Sequence, residues 1–424
     1  MAMASDLTDG PTPIVKPTQS ISSGDLVKRA LASNAELAAA RFEIERARAR
    51  MRQAGLRPNP TLDIEQQAGR PVGSPGERAT SIGVSLPLEV GGQRRRRMDL
   101  AQAELAATEA EIADRERRLA AEVRAVYAEA LMAARELEIT EGLNKLDAEA
   151  VRVVEARVSE GDAAPLEANL LRVEVERLRS RRALVEGRLQ ATLLKLKNLA
   201  GIPLDEPLGL REELTQPTSL NPPDGIASLE AAVEIALRTR PDLRLARLTE
   251  EAAQAGLRLA KAQAAPQVAV TARYSTERTI TTLPAPLASV PDSGKALSIG
   301  LSIGLPVFNR NQGGQAETAV VVAQAQRRRE FIEAVVRAEV SSALARYHAS
   351  QSALATFEQG VIARSNDNVR AIRAAYEVGA FRVTELIAEQ RRLMDAQREY
   401  TEALAERWRA LSDLQSAMGG IEQK

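Results

Sequence analysis

The sequence has no cysteine and a single histidine, His348. That excludes disulfide scaffolds, thiolate metal sites, thiol nucleophiles and acylation on cysteine, and it makes a histidine-based zinc or iron site a poor fit. Aromatic residues are scarce at 3%, although 44% of the 424 residues are hydrophobic, so the apolar content is mainly Ala, Leu and Val. A large enzyme core normally draws burial area from big rings. Long close-packed helices suit an Ala-rich, charge-rich chain better. Neither sign of charge dominates, with 57 Lys+Arg against 57 Asp+Glu, which excludes a general electrostatic affinity for nucleic acid. No run approaches the ~20 apolar residues of a membrane-spanning helix. The start, Met1-Ala2-Met3-Ala4-Ser5-Asp6, has neither a basic n-region nor an apolar h-region; any export signal is expected to have been removed or to lie upstream. There is no Gly-rich phosphate loop after a strand, no His-x-x-x-His pair and no nucleophile elbow, so neither an enzyme nor a cofactor is expected.

What the chain does contain is a duplication. The segment Asp25–Pro60 aligns without gaps on Ala231–Pro266, matching Val27 with Val233, Ala30 with Ala236, Leu37 with Leu243, Arg41 with Arg247 and Pro60 with Pro266. Leu86-Pro87 recurs as Leu305-Pro306, Gly91-Gly92-Gln93 as Gly313-Gly314-Gln315, and Ala121-Glu122-Val123 as Ala338-Glu339-Val340. Gly161 with Glu167 recurs as Gly379 with Glu385. The order is the same in both halves, as in a tandem repeat. The predicted organisation is a flexible segment 1–23, a first repeat 24–200, a linker 201–226 rich in Pro and turn formers, a second repeat 227–418 and a tail 419–424.

Each half reads as one helix (Gly24–Leu56; Ala227–Ala262) stopped by proline, two short alternating segments, a Gly-Gly turn, a very long helix (Gln93–Glu160; Gln315–Val378), a glycine break and a return helix (Pro165–Leu199; Arg382–Ala417). Leu105, Ile112, Leu119 and Val126 repeat every seven residues, with Val123, Ala130 and Leu137 as the second seam position, a coiled-coil heptad with many Ala positions for close approach. At 1.5 Å per residue such a helix is a rod of roughly 100 Å. The first and last helices of each half together match one long helix, so they can lie end to end along it. On the helices alone, an ordinary coiled-coil scaffold is an equal reading.

The alternating segments break that tie. In Leu297–Leu305, Leu297, Ile299, Leu301, Ile303 and Leu305 alternate with Ser298, Gly300, Ser302 and Gly304. Ile82, Val84, Leu86 and Leu88 oppose Ser81, Gly83 and Ser85; Val268, Val270, Ala272 and Tyr274 alternate with Gln267, Ala269, Thr271 and Arg273; Leu62 and Ile64 flank Asp63. The predicted strands lie at about 61–69, 80–89, 267–277 and 295–306, with Gly69–Thr80 and Arg278–Gly294 as exposed loops. A soluble sandwich would alternate in the same way. Here, though, no second sheet is available to pack on, and the small polar face suits a water-filled lumen. Four strands cannot close a barrel, and open edges are forbidden in lipid, so several chains must each contribute four. Eight strands leave a filled interior, so a conducting lumen calls for three or more chains.

The duplicated order, from about Gly24 to Met418, resembles the outer-membrane efflux proteins, the TolC-like family. The strings LPLEVGGQRRRR (Leu86–Arg97) and GLPVFNRNQGGQ (Gly304–Gln315) resemble the strand-to-helix junctions of its heavy-metal branch, the cobalt–zinc–cadmium efflux channels. The resemblance implies a mainly α fold with a small β part: a helical coiled-coil barrel plus four transmembrane strands per chain, completing a 12-stranded barrel in a homotrimer. It implies an outer-membrane exit duct with a long periplasmic portion, set in outer-membrane lipid. Such a duct receives heavy-metal cations such as cobalt, zinc, cadmium or nickel from an inner-membrane, proton-driven RND-type pump through a periplasmic adaptor (membrane fusion) protein. A duct for drugs or secreted protein has the same fold, and a non-channel scaffold is the remaining alternative.

Candidate residues follow. Gly161 and Gly379 mark the hairpin-tip turns, where Gly tolerates the left-handed backbone. By resemblance, acidic residues of the second tip ring the periplasmic aperture; one position maps onto Glu385 and the next falls on Ala388, with Glu389 adjacent but about 100° around the helix. Tyr376 matches a family tyrosine that holds the tip closed, and Glu167 is the first-half counterpart of Glu385. Ile82, Val84, Leu86, Leu297, Ile299, Leu301 and Ile303 are expected to face lipid. Gly91, Gly92, Gly313 and Gly314 mark the strand-to-helix junctions. Arg94–Arg97 read as a solvated helix start, and His348 as a helix-surface residue rather than a ligand.

Overall fold

The computed structural model describes residues 20–68, 77–215, 228–281, 288 and 290–420. The expectations for 1–19, for the first inter-strand loop at 69–76, for 216–226 of the linker and for 421–424 of the tail lie outside the described residues. The chain divides into two compact units: one of Met1–Arg41, Ile112–Pro241 and Glu333–Lys424, the other of Phe42–Glu111 and Asp242–Ile332.

The elements run β1 (Ser20–Ile21), α1 (Ser23–Ser33), α2 (Ala35–Ala54), β2 (Thr61–Ala68), β3 (Arg78–Leu88), α3 (Gln93–Glu160), α4 (Pro165–Leu199) and β4 (Gly209–Leu210). They continue with α5 (Leu229–Thr239), α6 (Pro241–Ala262), β5 (Gln267–Thr281), β6 (Val290–Gly304), α7 (Gln312–Thr356), a π-turn (Phe357–Val361), α8 (Ile362–Glu377) and α9 (Val383–Ala417).

Several boundaries differ from the sequence expectation. The opening helix of each half is broken: α1 ends at Asn34, whose φ/ψ of −65°/122° is extended, and α5 ends at Arg240 with −65°/124°. The second break precedes Pro241, since a residue before proline is driven out of the helical region. At the first, Asn34 turns its side chain to local partners: Oδ1 accepts the Leu37 N–H at 2.9 Å while Nδ2 donates to the Leu199 carbonyl at 3.0 Å. The supposed loop Arg278–Gly294 carries strand at both ends, because β5 and β6 pair from Gln267↔Gly304 out to Thr281↔Val290; its residues 282–287 and 289 lie outside the described residues. The helix α7 begins at Gln312, so Gly313 and Gly314 lie in its first turn; the left-handed residue at this junction is Asn311 (φ 56°). In the first half Gly91 and Gly92 do precede the helix. Gly92 has φ 72°, and a Cβ on Gly91 would stand 2.4 Å from that of Ala265.

In the first unit, Tyr127, Trp408, Leu26, Leu196 and Leu404 form the largest buried cluster, with Tyr127 and Trp408 rings 6.1 Å apart. The start of the supposed linker belongs to this core. Its β4 pairs in parallel with β1, Leu214 is buried and offers its carbonyl to Trp408 Nε1 at 3.2 Å, and the Tyr127 hydroxyl donates to the Ile21 carbonyl at 3.0 Å. Scarcity of rings does not mean their absence where burial area is needed. A second, smaller cluster holds Val154, Ala168, Leu171, Tyr376, Val383, Leu386 and Ile387.

In the second unit the four strands form one antiparallel sheet, ordered β2-β3-β5-β6. Pro87 sits where β3 has run past the end of β2, whose first paired residue is Thr61 opposite Ser85, so its missing N–H breaks no ladder on that side.

Candidate functional site

Directly paired residues in an antiparallel sheet share a face. The register therefore sorts the side chains. Ile64, Ile82, Tyr274 and Leu297 form one row, Leu62, Val84, Ala272 and Ile299 the next, then Leu86, Val270 and Leu301, then Leu88, Val268 and Ile303. All seven residues expected to face lipid thus stand on one face. They are exposed, Ile299 at 78% and Leu297 at 74%, an apolar sheet face far beyond scattered surface residues.

The opposite face is small and polar. Asp63, Gly83, Arg273 and Ser298 form one row, and Glu65, Ser81, Ser275 and Ala296 another. Arg273 donates to Glu65 and to Ser81, each at 3.0 Å, and it packs over Gly83, where an added Cβ would stand 3.6 Å from its Cβ and Nε. The strands β2 and β6 form the two edges of the sheet.

At the base of the sheet three of the four arginines after Gly92, which were expected to be solvated, are engaged. Arg94 donates to the Gly55 carbonyl at 2.6 Å, Arg96 pairs with Asp99 at 3.2 Å, and Arg97 holds the Glu89 carboxylate and the Leu56 carbonyl. Arg94 and Arg97 tie the start of α3 to the ends of α2 and β3.

Both tip glycines have the left-handed backbone the reversals need, Gly161 at φ 85° and Gly379 at φ 76°. Each closes the same pair of hydrogen bonds: Gly161 and Asp162 N–H donate to Val158 and Arg157 carbonyls, and Gly379 and Ala380 donate to Tyr376 and Ala375. The structure brings two of the three aperture candidates together. The Tyr376 hydroxyl on α8 donates to Glu167 Oε2 on α4 at 3.2 Å, and the Arg157 guanidinium on α3 lies 5.5 Å from the centre of the tyrosine ring. Burial, then the neighbouring Glu167 charge and its hydrogen bond, push the Tyr376 pKa up, against a smaller opposing pull from Arg157. So the hydroxyl keeps its proton and serves as donor. Glu385 stands apart from this pair: its Oε2 accepts the Arg382 N–H at 2.7 Å at the start of α9, where a carboxylate complements the unsatisfied N–H groups. Glu389 is buried, accepting from Asn368 at 3.1 Å and Arg392 at 2.9 Å.

The pattern reading missed Asp147. It lies on α3 at 5% exposure, and its Oδ1 has no hydrogen-bond partner among the described residues. Burial and then the charge of Glu174 raise its pKa to about 6, opposed by a hydrogen bond with Gln390 and the charge of Arg373. The only signal in sequence was an acidic residue falling in phase with Thr140 and Leu143. His348 is exposed on α7, its ring 5.9 Å from Tyr347. Among the described residues no group of three acidic, His or Cys side chains could hold a metal ion, and no helix is long and apolar enough to cross a membrane.

A family model described as outer membrane efflux protein matches residues 26–202 and 232–420. The cobalt-zinc-cadmium resistance protein CzcC of Cupriavidus metallidurans is 22% identical, over 92% of this chain and 88% of its own. The nickel-cobalt-cadmium resistance protein NccC of Alcaligenes xylosoxydans xylosoxydans is 27% identical over 69% of this chain and 62% of its own. Among solved structures, CusC superposes with a TM-score of 0.78 at 23% identity, covering 94% of this chain and 92% of that one.

Proposed function

The chain belongs to the outer membrane efflux protein family, whose members are transport ducts and not enzymes, and on that premise we propose that it is the outer-membrane exit channel of a tripartite heavy-metal efflux system. The observation that carries the proposal is the sheet: four strands with an exposed apolar face, a small polar face and two open edges. In lipid every edge must be paired, so the sheet continues into neighbouring copies. Three copies give a 12-stranded barrel, with Ser81, Gly83, Arg273 and Ser298 on the lumen side and Ile299 and Leu301 against lipid. The helices form the periplasmic conduit, which meets a periplasmic adaptor and receives divalent cations such as cobalt, zinc, cadmium or nickel from an inner-membrane RND-type pump. Selection is assigned to the pump: among the described residues no group of three acidic, His or Cys side chains could hold a metal ion.

The two halves are read as a tandem duplication. The matched glycine turns support this, as does a second matched device: Gly201 (φ 61°) sits against Ser33 at the end of α1, and Gly419 (φ 98°) against Thr239 at the end of α5. Aperture roles fall to Tyr376 and Glu167 as a latch between the two hairpins, and to Glu385 as a carboxylate near the axis.

Expression with an export signal in a host lacking its own channel of this kind tests the reading. Mild-detergent cross-linking should end at three chains in the outer-membrane fraction, purified protein should conduct in planar bilayers, and co-expression with a metal pump and adaptor should raise metal tolerance. A non-conducting monomer with intact strands would overturn it.

A further inference from the structure

The matching of the two halves extends to the way their strands pair. Laid over the second half, Leu62 and Ile64 of β2 fall on Val268 and Val270 of β5. In the same way Ile82 of β3 falls on Leu301 of β6, and Leu86-Pro87-Leu88 falls on Leu305-Pro306-Val307. This matching carries the pairs of one hairpin onto those of the other. Thr61↔Ser85 becomes Gln267↔Gly304, Ala68↔Arg78 becomes Tyr274↔Leu297, and both images are pairs that the structure contains. The two hairpins therefore share one register.

One difference remains. β3 runs past the start of β2, and its end is covered on the other side by β5, through Leu86↔Val270, Pro87↔Ala269 and Leu88↔Val268. Leu305-Pro306-Val307 runs past the start of β5 in the same way, but β6 is an edge, so among the described residues no strand lies beside it. Leu305 and Val307 are exposed, and so are Leu62 and Ile64 on the opposite edge, β2. Alternation alone does not fix how two such edges meet, since a slip by two residues keeps every side chain on its face. The duplication selects one register. Carried onto the edges, the β3–β5 junction sets Val307 opposite Leu62, Leu305 opposite Ile64 and Ser302 opposite Gln67. The exposed apolar side chains then meet in pairs, and Pro306 stands opposite Asp63 as Pro87 stands opposite Ala269. Closing a barrel links strand tilt to stagger, so equal junctions let twelve strands close evenly.

We infer that the seam between copies of this chain repeats the internal β3–β5 junction: Ser302–Val307 of one copy pairs with Leu62–Gln67 of the next, Leu305 opposite Ile64 and Ser302 opposite Gln67, so that Leu305–Val307 is a strand extension completed by the neighbour. The inference rests on the proposed trimeric channel and specifies its seam.

The sequence has no cysteine, so paired substitutions report the seam directly. Gln67→Cys with Ser302→Cys probes the polar face, and Ile64→Cys with Leu305→Cys the apolar face. Directly opposed residues lie within the roughly 4.4–6.8 Å between Cα atoms that a disulfide accepts, whereas residues displaced by two stand roughly 7–8 Å apart. The displaced pairs are Glu65→Cys with Ser302→Cys and Gln67→Cys with Gly304→Cys, one for each direction of slip. The full chain, exported to outer membranes, is oxidised with copper-phenanthroline, and amine cross-linking of the same samples reads assembly separately. Both opposed pairs should give disulfide-linked species of up to three chains, at least ~10-fold faster than the displaced pairs. The two opposed pairs lie on different faces, so if one disturbs assembly the other decides. Amine cross-linking to three chains with no disulfide in the opposed pairs, or a displaced pair linking as fast, would overturn the register and leave the channel standing. No three-chain species in the parent would overturn both.

Discussion

Replacing Asp147 by Asn should stabilise the chain near neutral pH. The ordinary value of 3.8 rises to about 6 at this position, because the ionised form is buried opposite Glu174, itself held by Arg391 and Arg177. A carboxyl whose pKa rises on folding binds its proton more tightly in the folded state. Below 3.8 both states are protonated and there is no penalty; between 3.8 and 6 the unfolded chain ionises first, and stability falls by about 1.4 kcal/mol per pH unit; above 6 the loss is complete. The total is about 3 kcal/mol, an upper value since helices can relax around the charge. Of this, about 1.4 kcal/mol separates pH 5 from pH 7.5, or tenfold in an opening equilibrium. The assay is hydrogen exchange in peptides spanning 143–154, with protection factors corrected for the intrinsic rate. The parent should be about tenfold better protected at pH 5 than at pH 7.5, and Asp147→Asn should abolish that difference and exceed the parent at pH 7.5. Asn keeps the shape and offers an N–H where Oδ1 now has no partner among the described residues. Equal pH dependence in parent and variant, or lower protection in Asp147→Asn at pH 7.5, would refute the reasoning.

Three further outcomes are expected. Tyr376→Phe removes the bond to Glu167 and should cost about 1 kcal/mol locally, seen as faster exchange at both tips and higher conductance in bilayers; Glu167→Ala should match it, while Glu385→Ala should change cation preference with assembly intact. Leu301→Arg should weaken barrel assembly by roughly 2–4 kcal/mol per chain, whereas Ser302→Arg on the other face should assemble and alter conductance; equal assembly would mean the faces are misassigned. Gly201→Ala should lower the thermal midpoint, since a left-handed Cβ costs roughly 1–2 kcal/mol and this one would meet the Ser33 carbonyl oxygen at 2.6 Å; an unchanged midpoint would show that the turn relaxes freely.

Period and punctuation made most of this architecture legible. The heptad from Leu105 to Val126 and the alternation from Leu297 to Ile303 are strong because each repeats one chemical choice at one spacing. The break at Asn34 was hidden because it depends on a carbonyl at Leu199, far along the chain. Gly313 and Gly314 misled because glycine permits a turn without requiring one, and Asn311 took the left-handed position by capping the Ala260 carbonyl at 2.9 Å. The tip glycines could be read because a reversal between two helices demands that backbone. The pairing of Tyr376 with Glu167 and the burial of Asp147 could not, since both depend on which helix faces which, and period alone does not fix that.

The pairing of β3 with β5 joins residues 180 to 200 positions apart, from Leu88↔Val268 to Arg78↔Arg278. Closing a segment that long costs roughly 3 kcal/mol more entropy than closing the short segment between β5 and β6. The helices rest on local contacts, so they should form early, while the sheet waits until the second half of the chain has been made. Until then β2 and β3 are a bare two-stranded ribbon, too small to be stable in water and apolar on one face. The growing chain is thus most prone to aggregate in the interval between synthesis of β3 and of β6, and that is when it needs an escorting chaperone most.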